Sequence, residues 1–500
     1  MNRLNGLNRI NRLNGPPKGG GISWASYWAT RTPSNLRATV ASTTQINLTW
    51  ADAADAAEGI NVYASEDYGT TFTLLDNVAF GAEAYNATGL DPTKLYCFYI
   101  KANSGTNESL ESNIAYETTI PLHLTLEAAN LTAITVTNRV AKGDNAQAGN
   151  SWDDMYGVAT DILSSNFSVS SIMKSENADL SPMVGLRTNL AEGSYNGTFG
   201  DATGYSHFAW EYLGVIYRGY NKGNIATTGV SIPLVYILRF RRVTDTIYVD
   251  IYYGGSWTSV YTYPNTTTAN LYMALAFDDN VSKLHYPQLS IENNKVLLNM
   301  IGAVMMFDGN SLMAGQGGTS PSVQLLALHP FDVNLTSLWD NTSVGAQDTL
   351  DMIADAAADV DAHFMTGVNN YLFAQEIGND IFLNGTTVRD AVDNFWDYCD
   401  ARRVVGFKVF VGTIHARLAV VGGYPGLILS ATDIAAANAL IRAEYTSHAD
   451  GLFDLAAQSE LSDYTDLTYF NADQIHCTTA GYAVWAREMK QALLKYIADN

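Results

Sequence analysis

The sequence is poor in cysteine, in basic residues and in long apolar runs. Its three cysteines, Cys97, Cys399 and Cys477, have spacings that fit neither a metal site nor a disulfide framework, so we expect buried free thiols. Lysine and arginine total 28 against 50 acidic residues, and the resulting net charge of -22 disfavours nucleic-acid binding. No run approaches about twenty apolar residues, so we expect no membrane span. The N-terminus also lacks the apolar stretch of a secretory signal peptide.

Basic residues are concentrated at the N-terminus. Six of them precede the first acidic residue, Asp52, and the sequence Asn-Arg-Leu-Asn-Gly occurs at residues 2–6 and again at 11–15. Two prolines and three consecutive glycines follow this repeat. Because such a segment cannot build a core of its own, we interpret residues 1–32 as an arm. The arm either stays disordered or docks on a larger, acidic assembly.

Residues 33–119 consist of short alternating runs separated by turn-forming residues. The runs at 45–50, 60–63 and 95–100 have the period of two that is typical of a small β-sandwich. The stretch from Gly89 to Tyr96 looks like a tyrosine corner, and we expect Trp50 in the core. The region resembles a fibronectin type III domain over nearly its full length, which implies a spacing or binding role rather than chemistry.

Residues 120–298 are also rich in β-forming residues. Aromatic runs with a period of two occur at 235–240 and 247–253, with Asn/Gly turns between the runs. The pattern resembles the concanavalin-like jelly rolls of carbohydrate-binding modules, so we expect a second, larger β-sandwich. Its many aromatic residues either fill the core or line a groove for sugar, and the sequence leaves both readings open.

The periodicity changes again after residue 299. Continuous apolar runs at 303–307 and 407–413 predict buried parallel strands. Helical patterns at 349–364, 388–402 and 432–449 alternate with them. We therefore expect a doubly wound α/β domain over residues 299–500, with its reactive groups at the carboxyl ends of the strands.

This last region contains the residue types of nucleophilic catalysis. Ser311 follows a glycine-containing turn at the end of the first predicted strand, and Asp473 lies three residues before His476. Serine is a poor nucleophile until a base takes its proton, and that base works best when a carboxylate fixes its tautomer. The combination predicts a serine hydrolase.

Four segments in this region resemble the four blocks of the SGNH (GDSL-type) hydrolase family, in the family's order. They are Asp308–Leu312, residues 341–349, Glu376–Asp380, and Asp473–His476 with the Gly-Tyr pair that follows at 481–482. Two departures from the family pattern occur. Asn310 stands where the family often has aspartate, and the third block reads Gly-Asn-Asp instead of Gly-x-Asn-Asp.

The resemblance implies a flavodoxin-like α/β fold and a division of roles. Ser311 would attack, His476 would move the proton and Asp473 would orient the histidine. The backbone N–H groups of Ser311 and Gly345, with the side-chain amide of Asn379, would form the oxyanion hole. The family's reaction needs neither a metal ion nor an organic cofactor.

The function expected from these features is removal of O-acetyl groups from a cell-surface polysaccharide. β-Modules without an export signal suggest a phage virion protein that contacts other virion structural proteins through residues 1–32 and forms a homo-oligomer. One alternative is a carbohydrate esterase or lipase-like esterase that is secreted or held at the cell surface. Another is a catalytically inactive receptor-binding or structural appendage.

Overall fold

The structure is a computed structural model that describes residues 31–51, 59–79, 81–104, 107–119, a set of strand segments between 131 and 289, and residues 295–331, 336, 338–419 and 428–500. Residues 31–119 belong to one compact unit, to which 498–500 are also assigned, and the described residues from 131 to 497 belong to a second. Almost all of the predicted arm, residues 1–32, lies outside the described residues. The boundary predicted between 298 and 299 falls inside the second unit.

The described residues of the first unit form eight strands in two antiparallel sheets. These strands are β1 Ser34–Val40, β2 Gln45–Ala51, β3 Gly59–Ser65, β4 Thr73–Ala79, β5 Ala84–Thr88, β6 Leu95–Ser104, β7 Asn107–Glu108 and β8 Ala115–Thr118. One sheet has the order β1-β2-β5. The other has the order β4-β3-β6-β7, and β8 also pairs with β6.

Alternation along the strands places one face of each sheet in a shared core. In β2, Ile46, Leu48 and Trp50 are buried while the residues between them are not, as a half-buried strand requires. The hydroxyl of Tyr96, which is 1 % exposed, accepts a 2.7 Å hydrogen bond from the backbone N–H of Asp91. The tyrosine corner and the core position of Trp50 are therefore confirmed.

In the second unit, the described segments between residues 131 and 289 form fourteen strands in two antiparallel sheets. These strands are β9 Leu131–Thr132, β10 Ile134–Thr137, β11 Val140–Gly143, β12 Tyr156–Val158, β13 Phe167–Lys174, β14 Met183–Arg187, β15 Tyr205–Tyr212, β16 Val215–Gly219, β17 Ala226–Ser231, β18 Val235–Val243, β19 Thr246–Tyr253, β20 Ser256–Thr262, β21 Tyr272–Ala276 and β22 Lys283–Leu289. Their orders are β10-β11-β22-β13-β18-β19-β20 and β17-β16-β15-β14-β21-β12-β9.

These two seven-stranded sheets share one hydrophobic core. Val169 and Phe240 of one sheet and Val184 and Met273 of the other belong to the same buried cluster. Of the aromatic residues considered for sugar binding, Tyr263 fills this core at 1 % exposure. Several others, such as those at 152, 210 and 217, have side chains outside the described residues. Sugar binding by this region stays a prediction.

The remainder of the second unit is an α/β fold. Its strands are β23 Val304–Gly309, β24 Leu338–Asn341, β25 Asn370–Gln375, β26 Lys408–Gly412 and β27 Gly451–Phe453. Its helices are α1 Lys295–Met300, α2 Pro321–Ala327, α3 Thr349–Asp359, α4 Gly378–Asn384, α5 Val388–Val405, α6 Ala431–His448 and α7 Thr479–Asp499, with single 3-10 turns at Asp361–His363, Leu455–Ala457 and Ser459–Leu461.

The five strands are parallel, in the order β24-β23-β25-β26-β27. This is the doubly wound order 2-1-3-4-5 of flavodoxin-like folds, as the sequence predicted, and its topological switch point lies between β23 and β25. All six residues of β23 and of β25 are buried. Complete burial explains why these strands read as continuous apolar runs.

Helices cover both faces of this sheet. Leu372 of β25 packs in one cluster with residues of α3, α5 and α6. Tyr371, its neighbour in the strand, points to the opposite face, where its ring meets Tyr496 of α7 edge to face. The helix predicted over 349–364 is shorter than expected, because α3 ends at Asp359 and a separate 3-10 turn follows. No helix within the described ranges is long and apolar enough to cross a membrane.

Candidate active site

Ser311 lies in a tight turn at the carboxyl end of β23. Gly309, the last residue of the strand, has φ 155° and passes close to the neighbouring strand. A Cβ atom at this position would stand 2.3 Å from the carbonyl oxygen of Gln375, so no larger residue fits. After the glycine, the side chain of Asn310 accepts a 2.9 Å hydrogen bond from the N–H of Leu312. Close strand packing and this local bond fix the direction in which the serine points.

Ser311, His476 and Asp473 form a continuous chain of hydrogen bonds. The Oγ atom of Ser311 is 2.8 Å from Nε2 of His476, although 165 residues separate them. The Nδ1 atom of the same ring is 2.7 Å from Oδ2 of Asp473. The structure therefore brings together the three residues that the sequence predicted as a triad.

Asp473 is held by its own loop as well as by the histidine. Its Oδ1 accepts hydrogen bonds of 3.0 Å from the backbone N–H groups of Ile475 and His476. Burial acts to raise the pKa of Asp473, but these bonds and the bond to the His476 ring outweigh burial, and the pKa lies below its usual value. Asp473 is therefore a carboxylate at neutral pH, as the orienting role requires.

Gly345 lies beside Ser311, in the loop after β24. A Cβ atom on Gly345 would be 4.0 Å from Cβ of Ser311, so the two residues lie within van der Waals reach of each other. Within the described part of the chain, neither the N–H of Ser311 nor that of Gly345 donates a hydrogen bond to another residue. Two backbone donors thus remain available beside the nucleophile.

Asn379 lies in the first turn of α4, after β25, and is 8 % exposed. Its Nδ2 donates a 2.8 Å hydrogen bond to the carbonyl oxygen of Gln347, two residues beyond Gly345. This bond joins the second and third blocks of the site. An amide carries two N–H donors, and Gln347 uses one of them. Donation by Asn379 to an oxyanion stays a prediction.

The buried Glu376 connects the third block to the serine turn. It is 0 % exposed, and its Oε1 accepts a 2.7 Å hydrogen bond from the N–H of Asn379. Burial raises the pKa of Glu376 well above its usual value, while hydrogen bonds from the Asn379 N–H and the Asn310 side chain lower it. An aspartate at 310 would place a second carboxylate against this group. The departure from the family pattern at Asn310 therefore has a physical reason.

A second buried carboxyl group lies just below the serine turn. Asp308 is 2 % exposed and accepts a 2.6 Å hydrogen bond from the hydroxyl of Tyr398, on α5. Its other oxygen accepts a 2.9 Å bond from the N–H of Gly309. Burial raises the pKa of Asp308 to about 6, against the opposing effect of these bonds. This contact with α5 was not predicted from the sequence.

Unfavourable backbone conformations occur next to the site residues. Three non-glycine residues with positive φ are Ala346 at 66°, Ile377 at 87° and Gln474 at 59°. Ala346 follows Gly345, Ile377 precedes the turn of Asn379, and Gln474 follows Asp473. A positive φ is a genuine outlier for a β-branched residue such as Ile377, and strain of this kind collects at functional sites.

The loop that carries the serine is anchored from the C-terminal helix. The hydroxyl of Tyr482, a buried residue of α7, donates a 3.0 Å hydrogen bond to the carbonyl oxygen of Gln316. On the opposite side, Nδ2 of Asn341 donates 3.0 Å hydrogen bonds to the carbonyl oxygen of Met313 and to Oγ of Ser322. The segment that follows Ser311 is therefore held by both Asn341 and Tyr482.

The three cysteines and His415 have structural environments. Cys477 is buried with its Sγ 3.7 Å from Nε2 of His415, and burial raises the pKa of this thiol to about 12. His415 packs against the rings of Phe470 and Trp485, and burial lowers its pKa to about 4. All three cysteines are free and buried, as predicted. In the described ranges, no group of three or more His, Cys, Asp or Glu residues is arranged to hold a metal ion.

Two residues near the site were missed by the sequence reasoning. Glu376 is the first residue of the third block but was given no role of its own, and Arg417 lies in the loop that follows β26. The rule that functional groups collect at the carboxyl ends of parallel strands could have pointed to both, because β25 ends at Gln375 and β26 at Gly412.

Comparison with known proteins found no matching family model and no matching curated protein. The chain is similar in structure to a proposed acylhydrolase from Bacteroides fragilis, with 21 % identity, 39 % of this chain and 88 % of that chain covered, and a TM-score of 0.30. It is similar to the acetyl xylan esterase AlAXEase, with 16 % identity and a TM-score of 0.29; the match covers 37 % of this chain and 98 % of that chain. It is also similar to an Fn3-like protein from Clostridium thermocellum, with 29 % identity and a TM-score of 0.17; the match covers 19 % of this chain and 97 % of that chain.

The solved structures that resemble this chain thus include SGNH hydrolases and fibronectin type III-like domains, each over part of its length. The TM-scores are too low to carry a conclusion about function. A functional conclusion has to come from the geometry around Ser311.

Proposed function

We propose that this protein is a serine esterase that transfers an acyl group from an ester to water. The observation that carries the proposal is the hydrogen-bond chain from Ser311 through His476 to Asp473. A nucleophile in contact with a base, and a base in contact with an orienting carboxylate, is the arrangement that activates serine. A protein that only binds its target has no need of all three groups in this geometry.

In the acylation step, Ser311 Oγ forms a bond to the ester carbonyl carbon while its proton moves to Nε2 of His476. The carbonyl π electrons move to the oxygen, which becomes an oxyanion. When the tetrahedral intermediate collapses, the bond to the alcohol oxygen breaks and His476 donates its proton to that oxygen. Asp473 accepts the Nδ1–H bond throughout and stabilises the imidazolium that forms.

The oxyanion would be bound by the N–H groups of Ser311 and Gly345 and by the second amide hydrogen of Asn379. Support for this comes from the N–H groups of Ser311 and Gly345, which have no acceptor among the residues that the structure describes. Loss of one such donor costs about 2.7–4 kcal/mol of transition-state stabilisation in serine hydrolases. Deacylation repeats the sequence with water: His476 takes a proton from the water, the water oxygen attacks the acyl carbon, and Ser311 leaves with the proton returned to it.

For the substrate, we propose O-acetyl groups on a cell-surface polysaccharide. Support comes from the two β-sandwiches that precede the α/β fold in the chain, because such modules frequently accompany carbohydrate esterases. The proposal includes a place in a phage virion, with residues 1–32 docking on an acidic assembly. Its support is the basic charge of these residues in a chain of net charge -22.

The esterase proposal is tested with 4-nitrophenyl acetate and a fluorophosphonate probe. The wild type should hydrolyse the ester, and the probe should add to Ser311, as peptide mass mapping would show. Ser311→Ala should lose both activities. Ser462→Ala removes an exposed hydroxyl that bonds only to the carbonyl oxygen of Ser459, so it serves as the matched control. Equal rates for the wild type and Ser311→Ala would refute the triad.

The virion proposal is tested separately by deleting residues 1–30. The shortened protein should keep its esterase activity and should be absent from purified particles of the parent phage. Normal incorporation of the shortened protein would contradict the docking role of the arm and leave the esterase proposal standing.

A further inference from the structure

Arg417 is a buried cation without an acidic partner. Its side chain lies in the loop after β26 and is 6 % exposed. Within the described part of the chain, no carboxylate oxygen lies within 4.0 Å of its guanidinium nitrogens, and its Nε makes no hydrogen bond. The guanidinium stacks over the ring of Phe382, with Cζ 5.1 Å from the ring centroid. It is therefore held in place by packing and not by an ion pair.

The guanidinium lies beside the candidate active site. A Cβ atom on Gly378, the residue before Asn379, would be 3.7 Å from Nη1 of Arg417. On the other side, the N–H of Leu418 donates a 2.8 Å hydrogen bond to the carbonyl oxygen of Gln474, which lies between Asp473 and His476. Arg417 is thus enclosed between the turn that carries Asn379 and the segment that carries the acid and base of the triad.

A buried charge without a partner is costly to a folded protein. An isolated ion in a low-dielectric interior loses far more hydration energy than packing returns, so buried charges are normally paired. Burial lowers the pKa of Arg417 to about 10, while the more distant charges of Glu376 and Asp473 raise it, so the group remains a cation at neutral pH. A charge kept at this cost beside a reactive serine points to an anion that arrives from outside the chain.

We propose that Arg417 binds a carboxylate group of the substrate next to the ester bond that is cleaved. The inference rests on the esterase function proposed above and narrows its substrate class to esters that carry an acidic group, such as O-acetylated uronic acids. A single planar guanidinium matches a carboxylate through two parallel N–H···O bonds. A phosphate dianion would leave one negative charge uncompensated by a single guanidinium.

The overall charge of the protein makes this contact a source of selectivity and not of attraction. The net charge of -22 repels an acidic polysaccharide at long range, but this repulsion is screened beyond about 8 Å at physiological ionic strength. A contact inside the site is not screened in this way. Assays therefore belong in about 150 mM salt, where the local contact decides the preference.

The competing explanation is that Arg417 serves only as an internal counter-charge for Glu376. Two observations disfavour it: the two groups form no ion pair within 4.0 Å, and among the described residues Oε2 of Glu376 accepts no hydrogen bond, from Arg417 or from any other group. The two explanations predict different kinetics, because an internal counter-charge would act equally on charged and neutral substrates.

The test compares pairs of esters that differ only in a carboxylate. One pair is an O-acetylated methyl galactosiduronate and its carboxyl methyl ester, which places the charge on the sugar. The other is mono-4-nitrophenyl succinate and its methyl ester, which places the charge on the acyl group. The measured quantity is the ratio of kcat/KM for the charged ester to that for the neutral ester. A charge-assisted hydrogen bond predicts a ratio of about 10 to 100 for the wild type in at least one pair.

The variants then assign the preference to one residue. Arg417→Gln should reduce the ratio to about 2 or less. Arg417→Lys keeps the positive charge but lacks the two parallel N–H donors of the guanidinium, so it should retain part of the wild-type ratio. Arg389→Gln, on the surface of α5, is the matched control and should keep the wild-type ratio. A wild-type ratio near 1 in both pairs would overturn the inference. So would an Arg417→Gln variant that keeps the wild-type preference, or one in which kcat/KM falls equally for the charged and the neutral ester. Absence of any Ser311-dependent hydrolysis would instead refute the esterase function itself.

Discussion

Replacement of Asp473 by asparagine tests the catalytic geometry most directly. The two carboxylate oxygens have different partners: Oδ1 accepts from two backbone N–H groups at 3.0 Å, and Oδ2 accepts from the His476 ring at 2.7 Å. Asparagine has only one oxygen. If its NH₂ group took the Oδ1 position, it would face the backbone N–H groups of Ile475 and His476, and donors would meet donors at both contacts. The NH₂ therefore faces the ring.

The histidine then has to change tautomer. Its Nδ1 accepts from the new NH₂, and the ring proton moves to Nε2, the atom that is 2.8 Å from Ser311 Oγ. A protonated Nε2 cannot take the serine proton, so the variant keeps its fold and its substrate contacts but loses its base. The corresponding change in other Ser-His-Asp hydrolases lowers kcat about 10⁴-fold, or about 5.5 kcal/mol in the activation free energy, and we expect the same order here.

The assay is hydrolysis of 4-nitrophenyl acetate, with Ser311→Ala as the blank for uncatalysed hydrolysis. Asp463→Asn is the matched control, because Asp463 also accepts a backbone N–H within a turn, from Thr465 at 2.9 Å, but lies on the surface. It should behave as the wild type. If Asp473→Asn retains more than about a tenth of the wild-type kcat/KM, then Asp473 does not fix the tautomer and the reasoning is wrong.

Three further changes test other parts of the structure. In wild-type Asp308 the folded pKa of about 6 lies above the ordinary 3.8, so its contribution to the free energy of unfolding falls as the pH rises from 4 to 7. Asp308→Asn lacks this titration, so in urea unfolding the variant should lose about 3 kcal/mol less than the wild type over this range. Gly309→Ala should lower kcat/KM on 4-nitrophenyl acetate at least about tenfold, since its Cβ would stand 2.3 Å from the Gln375 oxygen. Tyr96→Phe should destabilise the first unit by about 1 kcal/mol in calorimetry, since it leaves the Asp91 N–H without its acceptor.

Each of these changes has a result that would contradict it. A pH profile of Asp308→Asn that matches the wild type would show that the buried carboxyl does not titrate in this window. Full activity of Gly309→Ala would show that the strand end can open without moving the serine. Tyr99→Phe serves as the control for Tyr96, because in the described part of the chain the Tyr99 hydroxyl makes no hydrogen bond. Equal destabilisation by the two tyrosine changes would show that the effect does not come from the hydrogen bond to the Asp91 N–H.

Local patterns in the sequence were sufficient for some of the strands and for the choice of candidate site residues. The apolar run at 303–307 predicted a buried parallel strand, and β23 occupies 304–309 with every residue buried. The tyrosine corner was readable because its hydrogen bond spans only five residues. Likewise, the Asp-x-x-His spacing lies within one loop, so the contact between Asp473 and His476 depends on local backbone geometry.

The parts that sequence reasoning missed depend on contacts between distant segments. Asn310 looked like a departure from a family pattern until the structure placed it against Glu376. Asp308 meets Tyr398 across 90 residues, and neither residue carries a local signal of that contact. The burial of a charge is a property of everything packed around it, so the raised pKa of Asp308 and Glu376 could not be read from their own segments.

The sequence by itself determined which residues could react: a serine after a glycine turn, an acid three residues before a histidine, and parallel strands to carry them. Only the tertiary structure decided that Ser311 and His476 meet across 165 residues and that, among the described residues, the N–H groups of Ser311 and Gly345 have no acceptor. It also decided that Arg417 is a buried cation with no carboxylate of the described residues within 4.0 Å. The physical reason is that reactivity resides in side-chain type and local spacing, whereas contact, burial and electrostatic environment arise only when the strands of the sheet bring their carboxyl ends together.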